Sequence, residues 1–259
     1  MRHIIIDEPY SEAALWSRRL AFFSFLVGAI GMALTRTGLE PTAIFAVVGS
    51  AVAFACLAVL CAGAAFVSIW QTGCKGLGLG FIGLLLGLLL LAYPAYLTAE
   101  AIYLPVLSDV TTDVDNPPSY SLSRKALEAR HGFVPREVPQ SMRTLQANRY
   151  PDIQPLTLEV EADAAYRIVL KAIAARGWTI IDDIPPGRRS GLRHIDALAR
   201  GPLLGFPDDV TVRIKPLAGQ SVIDVRSASR FGRHDFGANA RRIQALLDEV
   251  NNQADTSTK

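Results

Sequence analysis

Cysteine is scarce in this sequence and absent from its larger part. Cys56 and Cys61 lie inside an apolar run, Cys74 lies at the edge of that run, and the chain beyond it contains none. A disulfide framework and a cysteine-based metal site are therefore excluded from residues 75–259. We interpret Cys56 and Cys61 as small apolar packing residues.

An excess of one charge sign is also lacking. The 26 lysines and arginines are nearly balanced by 24 aspartates and glutamates, which leaves a net charge of +2. Because the net charge is small and the basic and acidic residues are interspersed, the sequence predicts no binding to nucleic acid. Residues 1–100 hold only five basic and five acidic residues, whereas residues 101–259 hold the other 21 and 19. The sequence therefore predicts a long apolar block followed by a water-soluble domain.

Three apolar stretches are long enough to cross a bilayer, which takes about 20 helical residues. They lie at about residues 20–36, 42–70 and 77–98. No charged residue lies in the middle of any stretch, so the sequence does not indicate a proton relay or an ion path. Because no Ala-x-Ala-type site follows the first stretch and two more spans come after it, we expect three transmembrane helices and no cleaved signal peptide.

The positive charges that flank the spans predict their orientation. Arg18 and Arg19 precede the first span, Arg36 follows it, and Lys75 lies between the second and the third. A cytoplasmic N-terminus, residues 1–19, places four of the five basic residues inside. The chain after about residue 98 then lies outside the cytoplasm. For a bacterial inner membrane, this compartment is the periplasm.

The third span carries four glycines that form two Gly-xxx-Gly pairs, Gly76 with Gly80 and Gly83 with Gly87. Small residues four apart let helices approach closely. One interpretation is packing within the three-helix set. The other is an intermolecular contact through this helix, either a homodimer or a complex with an envelope protein.

Two further segments follow the spans. Residues 99–154 are polar and contain several prolines, which predicts an extracytoplasmic linker with a short helix near residues 123–131. This linker either wraps around the next domain or is mobile. Residues 253–259 predict a disordered tail.

Residues 155–252 predict an α+β domain with the element order β-α-β-β-β-β-α. Val210, Val212 and Ile214 alternate with polar residues, which is typical of a strand with one buried face. Strands joined by short turns imply an antiparallel sheet, with the two helices on its apolar face. The order is also that of a reduced helix-grip domain, in which a C-terminal helix closes a curved sheet over an apolar ligand. This likeness concerns the fold and does not establish function.

The C-terminal motif carries a resemblance to a known family. The stretch "RSASRFGRHDFGANARR" and the preceding Asp-Asp pair resemble the family called domain of unknown function 1499 over about residues 108–250. The three spans resemble an N-terminal extension of some members. The resemblance implies no assigned activity. The residues that carry it are Asp208, Asp209, Arg226, Ser227, Ser229, Arg230, Gly232, Asp235, Gly237, Asn239 and Arg242.

Catalysis and metal binding are weakly supported by this motif. A nucleophilic triad needs Ser227 or Ser229 beside a histidine that an acid orients, and the neighbours His234 and Asp235 do not take those roles. A metal site from His194, Asp196, Asp208 and Asp209 has no recognisable spacing. We therefore expect a non-enzymatic protein without a cofactor or a metal. A periplasmic enzyme that uses Asp208, Asp209, Ser229 or Asp235 is the alternative.

Two interpretations of the motif stay open. In the structural one, Asp235 caps the last helix, Gly232 and Gly237 permit a sharp turn, and Asp208, Asp209 and Arg242 complete the motif. In the ligand-binding one, a basic face near a helix start holds an anion such as a lipid head group. Its candidate residues are Arg226, Arg230, Arg213, Lys215, Ser229 and Asn239.

The overall prediction is a multi-pass inner-membrane protein whose periplasmic domain binds a membrane lipid or another anionic envelope component. The alternatives are the periplasmic enzyme and a structural subunit of an envelope complex. The decisive question is whether Arg226 and Arg230 are free or are paired with acids of the chain itself, for which Asp224 and Asp235 are the candidates.

Overall fold

The structure, a computed structural model, describes residues 8–37, 39–184, 191–201 and 205–257. The chain divides into two compact units, Met1–Ala99 and Glu100–Lys259, which are described separately.

The first unit consists of apolar helices. In the part of the chain that the structure describes, three helices are long and apolar enough to cross a membrane: α1 (Glu12–Leu34), α2 (Pro41–Thr72) and α3 (Leu77–Tyr103). Helix α2 begins with a proline and ends at Gly73, whose left-handed conformation suits a helix C-terminus. The prediction of three long apolar helices is confirmed; α1 begins before the first predicted stretch, and α3 ends after the third.

Gly83 and Gly87 of α3 lie against the other two helices. A Cβ atom at Gly83 would overlap with Ser17 of α1, and one at Gly87 would come within 2.8 Å of Val59 Cγ2 in α2. The Ser17 hydroxyl donates a hydrogen bond of 2.8 Å to the Ala58 carbonyl oxygen, which joins α1 to α2. These glycines therefore serve close packing inside one three-helix set. A homodimer or a partner contact through α3 stays a prediction.

The second unit is an α+β domain built around one antiparallel sheet. Among the described residues, six strands form this sheet in the order β1-β6-β5-β4-β3, and β2 also pairs with β6. The elements are β1 (Asp109–Thr111), α4 (Arg124–Ala129), α5 (Gln140–Arg149), β2 (Leu156–Leu158), α6 (Ala162–Ala175), β3 (Thr179–Ile184), β4 (Arg193–Arg200), β5 (Pro207–Leu217), β6 (Gln220–Ser229) and α7 (Ala238–Ser257).

The order from β2 to α7 confirms the predicted fold class and element order. Strands β3 to β6 follow one another in the sheet as an antiparallel meander. Helices α6 and α7 both cover one face of this sheet. The core between them contains the alternate residues predicted from the sequence, with Ile173 of α6 and Ile243 of α7 among the fully buried side chains. From the strands come Ile195, Ala197, Val210, Val212, Ile214, Ile223 and Val225.

The structure differs from the sequence-based prediction at residues 99–154, which were expected to form a linker. This segment contains β1, α4 and α5, and β1 pairs with β6 from Asp109↔Ala228 to Thr111↔Arg226. Helix α4 lies where the short helix was expected. At the other end, α7 continues to Ser257, where a disordered tail was expected; residues 258 and 259 lie outside the described residues.

Candidate functional site

The polar face of the sheet is the side opposite α6 and α7. Its residues alternate with the core residues on β4, β5 and β6, and successive side chains of a strand point to opposite faces. They include Asp196, Asp209, Thr211, Asp224 and Arg226, all of which are buried. They are buried because residues 112–139, which we call the covering segment, lie across this face and bond to it.

Arg130 is the central contact between the covering segment and the sheet. It directly follows α4, and its side chain is fully buried. Its guanidinium donates to Asp196 Oδ2 at 2.6 Å, to Asp209 Oδ1 at 2.9 Å and to the Ser121 carbonyl oxygen at 2.9 Å. A buried arginine needs such partners, because an unpaired buried charge is costly. No pattern in the sequence pointed to this residue.

Arg230 binds the same carboxylate as Arg130. Its Nε lies 2.7 Å from Asp209 Oδ2 and its Nη2 lies 2.9 Å from Oδ1, which makes a two-pronged ion pair. Asp209, which is fully buried, is thus held between two guanidinium groups. Arg230 is therefore paired within the chain.

Arg226 is paired as well, with Asp109 of β1. The two hydrogen bonds from Nε and Nη2 to the carboxylate oxygens are 3.0 and 2.8 Å long. The guanidinium also donates to the carbonyl oxygens of Pro118 and Arg136, at 3.2 and 2.8 Å. Burial raises the pKa of Asp109 above its ordinary value, although Arg226 acts in the opposite direction. Arg226 therefore fixes both β1 and the covering segment.

Tyr120 of the covering segment lies between two of these arginines. The guanidinium carbons of Arg226 and Arg130 lie 4.9 and 5.2 Å from its ring centre, within the range of cation–π attraction. Its hydroxyl donates to the Asp209 carbonyl oxygen at 3.4 Å. Burial raises the pKa of Tyr120 well above 10, so this ring stays neutral.

A second buried cluster joins β6 to the start of α7. The Asp235 carboxylate accepts from the backbone N–H groups of Gly237 and Asn239, both at 2.9 Å, which caps α7. The Asn239 side chain accepts from Ser227 at 2.8 Å and donates to Ser229 at 3.1 Å. Gly237 has a φ of 72°, a left-handed conformation that glycine adopts without strain.

Arg242 extends this cluster back to β5. Its guanidinium donates to Ser227 at 2.9 Å and forms a close ion pair with Asp208. Burial raises the pKa of Asp208, although Arg242 and Ser229 act against this shift. Asp208 and Asp209 are adjacent in sequence but have different partners, because successive side chains of a strand point to opposite faces.

The two remaining predicted basic residues are also paired. Arg213 Nε lies 2.9 Å from Asp224 Oδ2, and its Nη2 lies 3.1 Å from Asp113 Oδ2. Lys215 reaches the same two carboxylates at 2.9 and 3.2 Å. Burial opposes the ionisation of Asp113, but a backbone hydrogen bond from Asn116 and the charges of Lys215 and Arg213 lower its pKa.

A family model described as "Protein of unknown function (DUF1499)" matches residues 109–250. The chain belongs to this family. A search of the curated proteins found no match. The match begins at β1 and ends in α7, so the DUF1499 region includes the covering segment and both buried clusters. The motif residues of the family resemblance are therefore the ones that bind the covering segment and α7 to the sheet.

The serine and histidine side chains of the DUF1499 region do not form a catalytic relay in the described residues. Ser227 and Ser229 bond to Asn239, and His234 Nδ1 accepts from the Phe236 backbone N–H. His194 lies 2.9 Å from Asp196, whose other oxygen binds Arg130.

The four residues weighed as metal ligands do not converge. Asp208 is turned to Arg242, whereas Asp209 is bound by Arg130 and Arg230. Within the described ranges, no group of three or more histidine, cysteine, aspartate or glutamate side chains is arranged to hold a metal ion.

A cavity of about 410 Å³ opens beside β1 and the end of β6. Helix-grip domains hold ligand between the C-terminal helix and the sheet, but here that space is filled by fully buried side chains such as Ile243 and Leu246. The cavity instead lies next to the covering segment. Its walls are Val106, Leu107, Ser108, Asp109, Phe133, Pro135, Arg136, Glu137, Val138, Pro139, Met142, Ala228, Ser229 and Arg233.

Proposed function

We propose that this protein is a multi-pass protein of a bacterial inner membrane whose DUF1499 domain faces the periplasm and binds a membrane lipid or another anionic envelope component. The three apolar helices support the membrane location. The orientation rests on the basic residues that flank the spans, because a cytoplasmic N-terminus places Arg2, Arg18, Arg19 and Lys75 inside and only Arg36 outside.

The observation that carries this proposal is the cavity beside β1. Its volume falls within the range of about 300–1,000 Å³ that is usual for small-molecule sites. Its first wall residue, Val106, follows the end of α3 by three residues. Three residues span at most about 10 Å, so the cavity wall begins close to the end of α3.

An enzymatic role has less support from the geometry. Asp209, Asp208, Ser229 and Asp235 were the candidate catalytic residues, and each is held by partners inside the chain. Catalytic groups need geometric access to a reacting atom. The buried motif accounts for the stability of the domain, whereas the cavity offers a place for a ligand.

Two measurements test the proposal. A reporter fused after Lys259 should be active as alkaline phosphatase and inactive as a cytoplasmic fluorescent protein; the reverse result would contradict the periplasmic location. Native mass spectrometry of the full chain, purified in mild detergent, should show a retained anionic lipid. The variant Met142→Trp fills the cavity and should lose this lipid. A wild-type chain that retains none would contradict the binding function.

A further inference from the structure

The charged groups around the cavity are of two kinds. Asp109 is neutralised by its two-pronged pair with Arg226. Arg136 and Arg233, by contrast, are exposed, and their guanidinium groups form no ion pair with a carboxylate in the part of the chain that the structure describes. Besides Asp109, Arg136 and Arg233, the wall contains one more charged residue, Glu137. The wall therefore has two unpaired positive groups and one negative group.

The rest of the wall is mainly apolar. Val106 precedes β1, Phe133 and Val138 belong to the covering segment, and Met142 lies in the first turn of α5. The guanidinium carbon of Arg230 lies 5.7 Å from the ring centre of Phe133, within the range of cation–π attraction, which helps to hold this wall residue in place. Apolar surface next to unpaired arginines matches a ligand that has an alkyl chain and an anionic head group.

We propose that the cavity binds an anionic amphiphile with a phosphate or carboxylate head group, held by Arg136 and Arg233, and an alkyl chain against Val106, Phe133 and Met142. This inference rests on the proposed binding function and specifies its ligand. It also assigns recognition to two residues that differ from the predicted Arg226 and Arg230. Arg226 and Arg230 are not among the wall residues of the cavity, and their guanidinium groups are already paired with Asp109 and Asp209.

Photocrosslinking of the full chain in phosphatidylcholine nanodiscs tests the inference. The probe is a dodecyl phosphate that carries a diazirine on its alkyl chain, and the labelled peptides are identified by mass spectrometry. We expect labelling of residues 106–109 and 133–142. Unlabelled dodecyl phosphate should compete with the probe. Dodecyl maltoside, which has the same chain and no charge, should not.

Inorganic phosphate separates the two sources of a phosphate group. If it competes as well as dodecyl phosphate, the site binds a free anion and the amphiphile is rejected. If dodecyl maltoside competes equally well, the head group is not recognised and the role of the arginines is rejected.

The variant Arg136→Gln/Arg233→Gln should reduce the labelling of the cavity about tenfold or more, because each charge-assisted hydrogen bond is replaced by a weaker neutral one. The matched control is Arg124→Gln/Arg167→Gln, which changes two exposed arginines outside the cavity wall and should leave labelling unchanged. Glu137→Gln should increase labelling, because it removes a negative charge from the cavity wall that repels an anionic head group.

Different results separate this inference from the proposed function. If the wild-type chain retains an anionic lipid but the probe does not label the cavity, the binding function stands and this ligand site is rejected. The same holds if Arg136→Gln/Arg233→Gln is labelled as strongly as the control Arg124→Gln/Arg167→Gln. If Arg136→Gln/Arg233→Gln lowers the thermal stability, Met142→Trp provides the second test. It must abolish cavity labelling while the wild-type melting temperature is kept; persistent labelling would overturn the inference.

Discussion

Arg226 and Asp109 lie 117 residues apart in the chain and form a two-pronged ion pair, with hydrogen bonds of 3.0 and 2.8 Å. Asp109 begins β1, and Arg226 lies near the end of β6. This pair fixes the segment that follows the three apolar helices to the sheet. Removing either partner leaves a buried charge without its counterion.

The first prediction concerns this pair. Asp109→Asn should lower the free energy of unfolding of the domain by about 3–5 kcal/mol, the usual cost of leaving one partner of a buried ion pair alone. Pulse proteolysis of the detergent-solubilised full chain in urea measures this change. The control Glu128→Gln breaks the exposed Arg124–Glu128 pair and should have no measurable effect. Equal stability of the two variants would contradict the role assigned to Asp109.

The second prediction concerns Arg130, which contacts Asp196, Asp209 and the Ser121 carbonyl through three different nitrogens. Arg130→Lys should destabilise the domain nearly as much as Arg130→Met, because an ammonium group cannot reproduce the planar geometry of these three bonds. The readout is the proteolysis rate at the covering segment, which should rise in both variants. If Arg130→Lys has the wild-type proteolysis rate, a positive charge alone is sufficient to hold the covering segment, and the prediction is wrong.

The third prediction is a pH dependence. Burial by itself would raise the pKa of Asp196, but hydrogen bonds and charges from His194 and Arg130 more than offset it and hold the pKa below 3.8. Near pH 3.8 and below, the unfolded chain therefore binds more protons at this carboxylate than the folded chain does. As a result, the free energy of unfolding rises with pH in this range. This contribution to stability is complete above pH 3.8, the ordinary pKa of an aspartate in the unfolded chain, and is lost as the pH falls through the lower pKa of the folded state.

Asp196→Asn should remove this part of the pH dependence. The measurement is the urea midpoint of the full chain as a function of pH, from about pH 2.5 to pH 6. Thr211→Val removes the other neighbour of His194 without a change in charge and should keep the wild-type slope. An unchanged slope in Asp196→Asn would show that this carboxylate is not the group responsible.

The fourth prediction concerns the helix set of the first unit. Gly83→Ala places a methyl group into the backbone of α1 at Ser17 and should destabilise the set by about 1–3 kcal/mol, the usual cost of overpacking. Gly78→Ala on the same helix meets nothing within 4 Å and is the matched control. Thermal melting in detergent should separate the two variants; if both melt alike, α3 does not pack on α1 in this way.

Several features of the fold follow from short sequence patterns. The three spans appear as long apolar runs, and Val210, Val212 and Ile214 reveal the buried face of β5 by strict alternation. Such patterns depend only on the repeat of a helix or strand, so a local stretch is sufficient. The predicted element order from β2 to α7 is confirmed for this reason.

The partners of the motif residues were harder to predict. The sequence suggested Asp224 and Asp235 as counterions of Arg226 and Arg230, because they are close in the chain. In the structure, Asp224 binds Arg213 and Lys215, and Asp235 caps α7. The true counterions come from β5 and from β1, a strand too short to show a periodic pattern.

The sequence by itself determined the three apolar helices, the alternating strands and the family, because each depends on residues that are near neighbours in the chain. Only the tertiary structure decided which charges remain unpaired. The antiparallel register of β1 on β6 brings Asp109 to Arg226, and the covering segment brings Arg130 to Asp209. These long-range contacts neutralise the arginines predicted to bind ligand, and leave Arg136 and Arg233 at the cavity as the groups that still lack a carboxylate partner among the described residues.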